Sequence, residues 1–161
     1  MSEQQYDSDL LLEDELLERE ADASRDLHLV FRIEEEDYAI NVAEVADILP
    51  YSKLRPVPKT QNYLKGIKNI RGDIIPIICV RSRFMKPEIE YDFETCIVKV
   101  QYKEYALGLI VDKVIGVETI APEQIKAPPN AKLAYANQFI KNIGVVEEQV
   151  RMILSLERLI F

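Results

Sequence analysis

Residues 27–40 read LHLVFRIEEEDYAI, and residues 94–107 read ETCIVKVQYKEYAL. The two align without a gap: an alternating apolar strand, a charged turn, then Tyr-Ala-Ile or Tyr-Ala-Leu. IKNI occurs at residues 67–70 and again at 140–143. Each copy is followed by a turn, an apolar strand (residues 74–80 and 150–154) and a short helical pattern. The separation grows from 67 residues at Tyr38/Tyr105 to 69 at Val45/Val114 and 73 at Ile67/Ile140. Loop insertions do this to an old duplication. Two similar modules in a short chain enclose a groove between them.

Period-two alternation dominates outside the N-terminus. Leu27, Leu29, Phe31 and Ile33 share one face of a strand, and residues 34–37 form its hairpin turn. Val42, Val45, Ala46 and Leu49 fall at helical spacing, Asn41 and Glu44 resemble a capping box, and Pro50 would stop that helix. A return to strand at residues 47–49 is the alternative. Pro56 and Pro58 mark an extended connection. Residues 63–65 suggest one helical turn closed by Gly66, and residues 67–70 a strand. Arg71-Gly72-Asp73 is a tight hairpin turn. Residues 74–80 are almost wholly apolar, which predicts cover on both faces, and Pro76 within them argues for an edge or a bulge. Residues 96–102 and 105–111 form the second hairpin, running on through Val114, Ile115 and Val117. Residues 127–129 are a rigid loop. Residues 140–146 and 150–154 make the last hairpin, and Ser155 caps a C-terminal helix. Many short strands and no long helix predict an all-β fold of two small barrels side by side.

The chain has 161 residues, 48% of them hydrophobic, and a net charge of −8. Ten Asp/Glu and two Arg lie in residues 1–26, so the acidity belongs to an arm that is expected to be largely disordered. Within it, residues 10–17 have the spacing of an amphipathic helix. Residues 27–161 form the folded domain and carry no net charge. A chain without a basic excess disfavours nucleic acid and anionic membrane as partners. No signal peptide or membrane span is read, so the location expected is the cytoplasm. Cys79 and Cys96 sit in apolar strand patterns and read as free thiols.

Chemistry-bearing patterns are absent. The single His28 has no matched carboxylate or cysteine, the five glycines are scattered, and no serine sits in a nucleophile elbow. Catalysis, cofactor and metal are therefore not expected. What remains is surface. Val42, Val45 and Ile48 lie in a segment whose repeat counterpart includes Val114. They are either core between the modules or an apolar groove for an amphipathic helix. Arg71 in its tight turn can reach Asp47 with a fork-shaped guanidinium.

Residues 63–84, YLKGIKNIRGDIIPIICVRSRF, resemble the CheW family of bacterial chemotaxis coupling proteins. Gly66, Asn69, Arg71, Gly72 and Pro76 stand at the fixed positions of its G-[VI]-x-N-[LI]-R-G-x-[IV]-[IV]-P-[VI] pattern. The likeness extends over residues 27–161. It implies two interlocked five-stranded SH3-like barrels and a non-enzymatic adaptor. Such a protein couples the cytoplasmic tip of chemoreceptors to the regulatory domain of a CheA-type histidine kinase, itself a similar two-barrel unit. It would join receptor arrays at the membrane through these partners, with self-association in arrays possible. By this resemblance Leu29, Val42, Val45, Ile48 and Val114 would line the receptor groove, and Gly66 and Arg71 would serve coupling. The chain departs from the family in three places: Asp47 where Glu is common, Cys79 after Pro-Ile-Ile, and Pro50 at the groove rim. An adaptor fused to a receiver domain and a detached kinase regulatory domain are weaker alternatives, because no receiver, ATP-binding or phosphoacceptor sequence is present. A non-flagellar pathway would use the same biochemistry. A small barrel enzyme or ligand carrier is the reading from a different class.

Overall fold

The computed structural model describes residues 12–17, 25–58 and 61–161. Its strands are β1 (Leu27–Ile33), β2 (Glu36–Asn41), β3 (Val45–Pro50), β4 (Leu64–Ile70), β5 (Asp73–Cys79), β6 (Cys96–Tyr102), β7 (Tyr105–Val111), β8 (Lys113–Thr119), β9 (Ile125–Lys126), β10 (Ile140–Val146) and β11 (Gln149–Leu154). Two short helices, α1 (Val80–Arg83) and α2 (Leu156–Ile160), follow β5 and β11. One sheet runs β8-β1-β2-β11-β10-β9 and the other β3-β6-β7-β5-β4.

The duplication is visible in these orders. Replace β1–β5 by β6, β7, β8, β10 and β11, and the reverse, and the second sheet becomes the first without β9. Each sheet therefore takes its leading hairpin from one repeat and its other strands from the other repeat. The modules are interlocked by exchange, so neither repeat forms a sheet of its own. Each sheet also rolls up. The chain leaving edge strand β3 bridges back to the opposite edge, where Arg55 and Ile67 exchange backbone hydrogen bonds of 3.0 and 2.9 Å. The chain leaving β8 does the same through β9, which pairs with β10 at Ile143 and Gly144. Rolling up protects strand edges that would otherwise invite pairing with other chains.

The equivalent bridges correct the register read from the sequence. Turn for turn, Ile67 corresponds to Ile143 and Tyr38 to Leu107, so the two IKNI runs are three residues out of step. An odd offset places the same letters on opposite faces.

Three cores follow from period two. The first contains Val30, Ala39, Ile120 and Ile153 inside one barrel; the second contains Ile70, Ile75, Ile77, Cys79, Ile97 and Ile110 inside the other. The third fills the seam with nineteen buried residues, among them Leu29, Phe31, Tyr38, Val98, Val100, Leu109 and Phe139. In β1, Val30 points into its barrel while Leu29, Phe31 and Ile33 point into the seam, so the strand is buried on both faces. The seam outweighs both barrel interiors, so the two barrels form one cooperative unit.

Other local expectations are corrected. Residues 42–44 form one 3₁₀ turn, with Asn41 Oδ1 accepting from Ala43 N at 2.9 Å, and strand begins at Val45. The longer helix is lost because β3 supplies the outer partner of β6. Residues 64 and 65 are strand, not a helical turn, and Gly66 marks a bulge against β5. A Cβ on Gly66 would lie 2.5 Å from the Arg55 carbonyl oxygen. Burial on both faces of β5 holds only from Ile77; Ile74 is 67% exposed. Pro76 stands one residue before parallel pairing with β7 begins. Val114, Ile115 and Val117 do not extend β7: they lie in β8, which crosses to the other sheet beside β1. The Ser155 cap is present, its hydroxyl accepting from Arg158 N. Of the arm, residues 12–17 are helical with Leu12, Leu16 and Leu17 exposed, and residues 1–11 and 18–24 lie outside the described residues.

Candidate partner-binding surface

β3 and β8 are the two edge strands related by the repeat, and each carries a bulge. In β3 the register slips between Val45 and Asp47, so Val45 pairs with Val100 and Ile48 with Val98. Val98 and Val100 both face the seam. The bulge therefore puts Val45 and Ile48 on one face, although they are three residues apart. In β8, Val114 pairs with Phe31 and Val117 with Leu29, again across a bulge. Four aliphatic side chains thus lie along the seam, two per edge strand: Val45 with Ile48, and their repeat equivalents Val114 with Val117. Val45 and Val114 pack partly buried on the seam core, while Ile48 is 42% and Val117 57% exposed. The 3₁₀ turn with half-buried Val42 touches both β1 and β6 and closes one end.

Two of the sequence expectations change here. Leu29 is only 2% exposed. It pairs with Val117 across the two strands and packs into the seam core. Val117 was missed; the separation of 69 residues that relates Val45 to Val114, applied to Ile48, would have found it.

The signature loop lies at the rim. Arg71 and Gly72 form the β4–β5 turn with φ of 51° and 94°, the left-handed region that glycine tolerates best. Asn69 Oδ1 accepts from Gly72 N at 2.9 Å and fixes the turn. Arg71 Nε donates to Asp47 Oδ2 at 2.6 Å through a single bond rather than a fork. β3 and β4 are opposite edges of their sheet, so this pair links the two edges beside the Arg55–Ile67 bridge. The shorter Asp47 side chain still reaches. That hydrogen bond, chiefly, holds the Asp47 carboxyl below its ordinary pKa. A depressed folded pKa contributes stability above the unfolded value, about 3.9, and loses it as pH falls through the folded pKa. Arg71 is 83% exposed, so the neutral-pH effect on stability is small. We expect Arg71→Ala to melt close to wild type at pH 7, and the remaining difference to shrink as the pH falls below about 3.9 in pH-dependent melting. A difference that widens in acid would contradict this pairing.

A second tie was not legible in the sequence. Arg81, on α1, forks onto Asp112 with Nε–Oδ1 2.8 Å and Nη2–Oδ2 2.6 Å, and Asp112 Oδ2 accepts from Glu34 N at 2.8 Å. Asp112 stands where the chain crosses from β7 in one sheet to β8 in the other. It therefore fastens both barrels at the crossing, with Arg81 only 11% and Asp112 19% exposed. We expect Asp112→Asn to cost about 2 kcal/mol in chemical denaturation, because a desolvated guanidinium loses its charged acceptor. A loss under ~0.5 kcal/mol would reduce the tie to an ordinary surface pair.

A cavity of about 600 Å³ lies elsewhere, at an end of the first sheet's barrel, and includes Arg32, Asp37, Gln149 and Arg151, which share the barrel-facing side of their strands with Val30, Ala39 and Ile153. Arg151 bonds Asp37 at 2.9 Å and Glu118 at 2.8 Å, which ties β11 to β2 and β8. Its charges are mutually satisfied, which suits a structural cross-tie. No group of three or more potential metal ligands occurs among the described residues.

Two rolled sheets share one core and leave an apolar seam between two edge strands. The CheW-like domain model matches residues 27–160, and the chain belongs to that family. The chemotaxis protein CheW of Bacillus subtilis is 31% identical over 127 residues, covering 79% of this chain and 81% of that protein. The protein of the same name from Klebsiella aerogenes is 28% identical over 132 residues, covering 82% and 80%. The crystal structure of the scaffolding protein TtCheW from Thermoanaerobacter tengcongensis superposes with a TM-score of 0.77 at 27% identity, covering 84% of this chain and 92% of that one.

Proposed function

We propose that this chain is a non-enzymatic coupling adaptor of bacterial chemotaxis, joining the cytoplasmic tip of chemoreceptors to the regulatory domain of a CheA-type histidine kinase in cytoplasmic arrays beneath the membrane. The carrying observation is the seam itself: Val45, Ile48, Val114 and Val117, aligned by paired bulges on two edge strands. An amphipathic helix presents side chains at i, i+3, i+4 and i+7, and an apolar strip of this kind accepts them. Arg71, Asn69 and Gly72 serve coupling by fixing the rim on which Ile48 stands.

The kinase domain, a two-barrel unit by family resemblance, docks on the barrel ends. Each end carries an exposed aliphatic at the equivalent position: Ile74 beyond the Arg71 turn and Val150 beyond the Glu147–Glu148 turn, 67% and 50% exposed. Separate sites let one chain hold both partners. Signalling then requires that the receptor contact the adaptor differently in its two states, since equal contacts shift no equilibrium.

The test is Ile74→Glu and Val150→Glu, each titrated against the kinase regulatory domain and a receptor-tip helical hairpin. At least one should weaken kinase binding about tenfold while both leave hairpin binding intact. Hairpin binding lost in both variants, with kinase binding unchanged, would reverse the assignment of the two surfaces.

A further inference from the structure

Resting on the reading of the seam as the receptor site, we propose that the chain's own acidic arm competes for it: Leu12, Leu16 and Leu17 occupy the strip formed by Val45, Ile48, Val114 and Val117. The six-residue helix at residues 12–17 exposes all three leucines, at 57%, 56% and 63%. Leu12 and Leu16 are four apart and fall on one stripe. A helix this short is marginal in water, so a surface that covers its leucines stabilises it.

The place where the arm joins the fold selects that surface. Asn41 Nδ2 donates to the Arg25 carbonyl at 2.6 Å, and Ile120 N donates to the Asp26 carbonyl at 2.9 Å. The arm therefore leaves the fold between Val42, at the closed end of the strip, and the end of β8. Residues 18–24 connect Leu17 to this point. Seven residues span at most roughly 25 Å, and seven-residue β8 is about 23 Å long, so the leucines reach any part of the strip. A tether this short supplies an effective concentration of order millimolar. Three leucines on a shallow strip then suffice for partial occupancy, and a receptor helix displaces them. The arm would thus set a threshold for receptor engagement.

The experiment uses the full chain with Leu12→Ser, Leu16→Ser and Leu17→Ser combined. All three leucines are exposed, so folding is spared. In methyl NMR spectra, Val45, Ile48, Val114 and Val117 should shift relative to wild type, Ile74 and Val150 should not, and the shifts should be independent of protein concentration. The variant should bind a receptor-tip helical hairpin about two- to fivefold more tightly. Unmoved strip methyls, shifts that vanish on dilution, or equal hairpin affinity would each overturn the proposal. If the hairpin binds neither protein, the receptor reading fails, while the methyl shifts still decide whether the arm docks.

Discussion

Val45→Glu is expected to weaken binding of a receptor-tip helical hairpin by about a hundredfold or more. Val45 packs partly buried on the seam core and faces the strip beside Ile48. In the free protein a glutamate here can lean toward water, because β3 is an edge strand with one open side. Under a docked helix the carboxylate loses that water and gains no partner. Desolvating an unpaired charge costs several kcal/mol, and 2.7 kcal/mol is already a hundredfold in affinity. Val114→Glu should behave alike, since the repeat places Val114 equivalently on β8. Fluorescence anisotropy of a labelled hairpin measures the loss, and circular dichroism confirms that the variants fold. Wild-type affinity in a folded Val45→Glu would place the receptor elsewhere.

Gly66→Ala is expected to be strongly destabilising for a single-methyl change, costing of order 3 kcal/mol. Gly66 and Gly116 have nearly the same backbone, φ 154° and 153°, so the conformational strain of a side chain is similar at both. Their surroundings differ. A Cβ at Gly66 meets the Arg55 carbonyl oxygen at 2.5 Å, whereas at Gly116 it meets nothing within 4 Å. The obstacle at Gly66 is backbone, and that backbone exchanges hydrogen bonds with Ile67 to roll up the sheet. Moving it breaks the bridge. Gly116→Ala should therefore cost clearly less, about 1–2 kcal/mol from strain alone. The family's glycine at this position thus reads as packing that holds the segment between β3 and β4. Urea denaturation of the two variants side by side decides it, and equal losses would remove the bridge from the explanation.

The hairpins were legible because alternation and turn chemistry are local: Ile70-Arg71-Gly72-Asp73 can hardly be anything but a tight turn. Residues 42–50 were not, because VAEVADIL satisfies both helical and strand spacing and the choice is made by β6, about a third of the chain away. The exchange of strands between repeats is likewise non-local. Bulges hide from periodicity, since one extra residue re-aims every later side chain. That is why Ile48 joins Val45 on one face and why Val117 escaped notice. Leu29 is buried for a related reason: alternation assigns a face, and this face is shared core. The Asp47–Arg71 pair was found because both residues sit at marked places, a turn and a rim. Arg81 and Asp112 carry no such mark, and only the crossing from β7 to β8 brings them together.

The central claim is that one chain holds receptor and kinase at once. The direct measurement is a calorimetric titration of the receptor-tip hairpin into this protein already saturated with the kinase regulatory domain. The account predicts one further binding event, with an affinity within about threefold of that for the free protein, because the seam and the barrel ends are separate surfaces. Abolition of hairpin binding by the kinase domain would mean that the two partners share one surface, and the adaptor mechanism would be wrong.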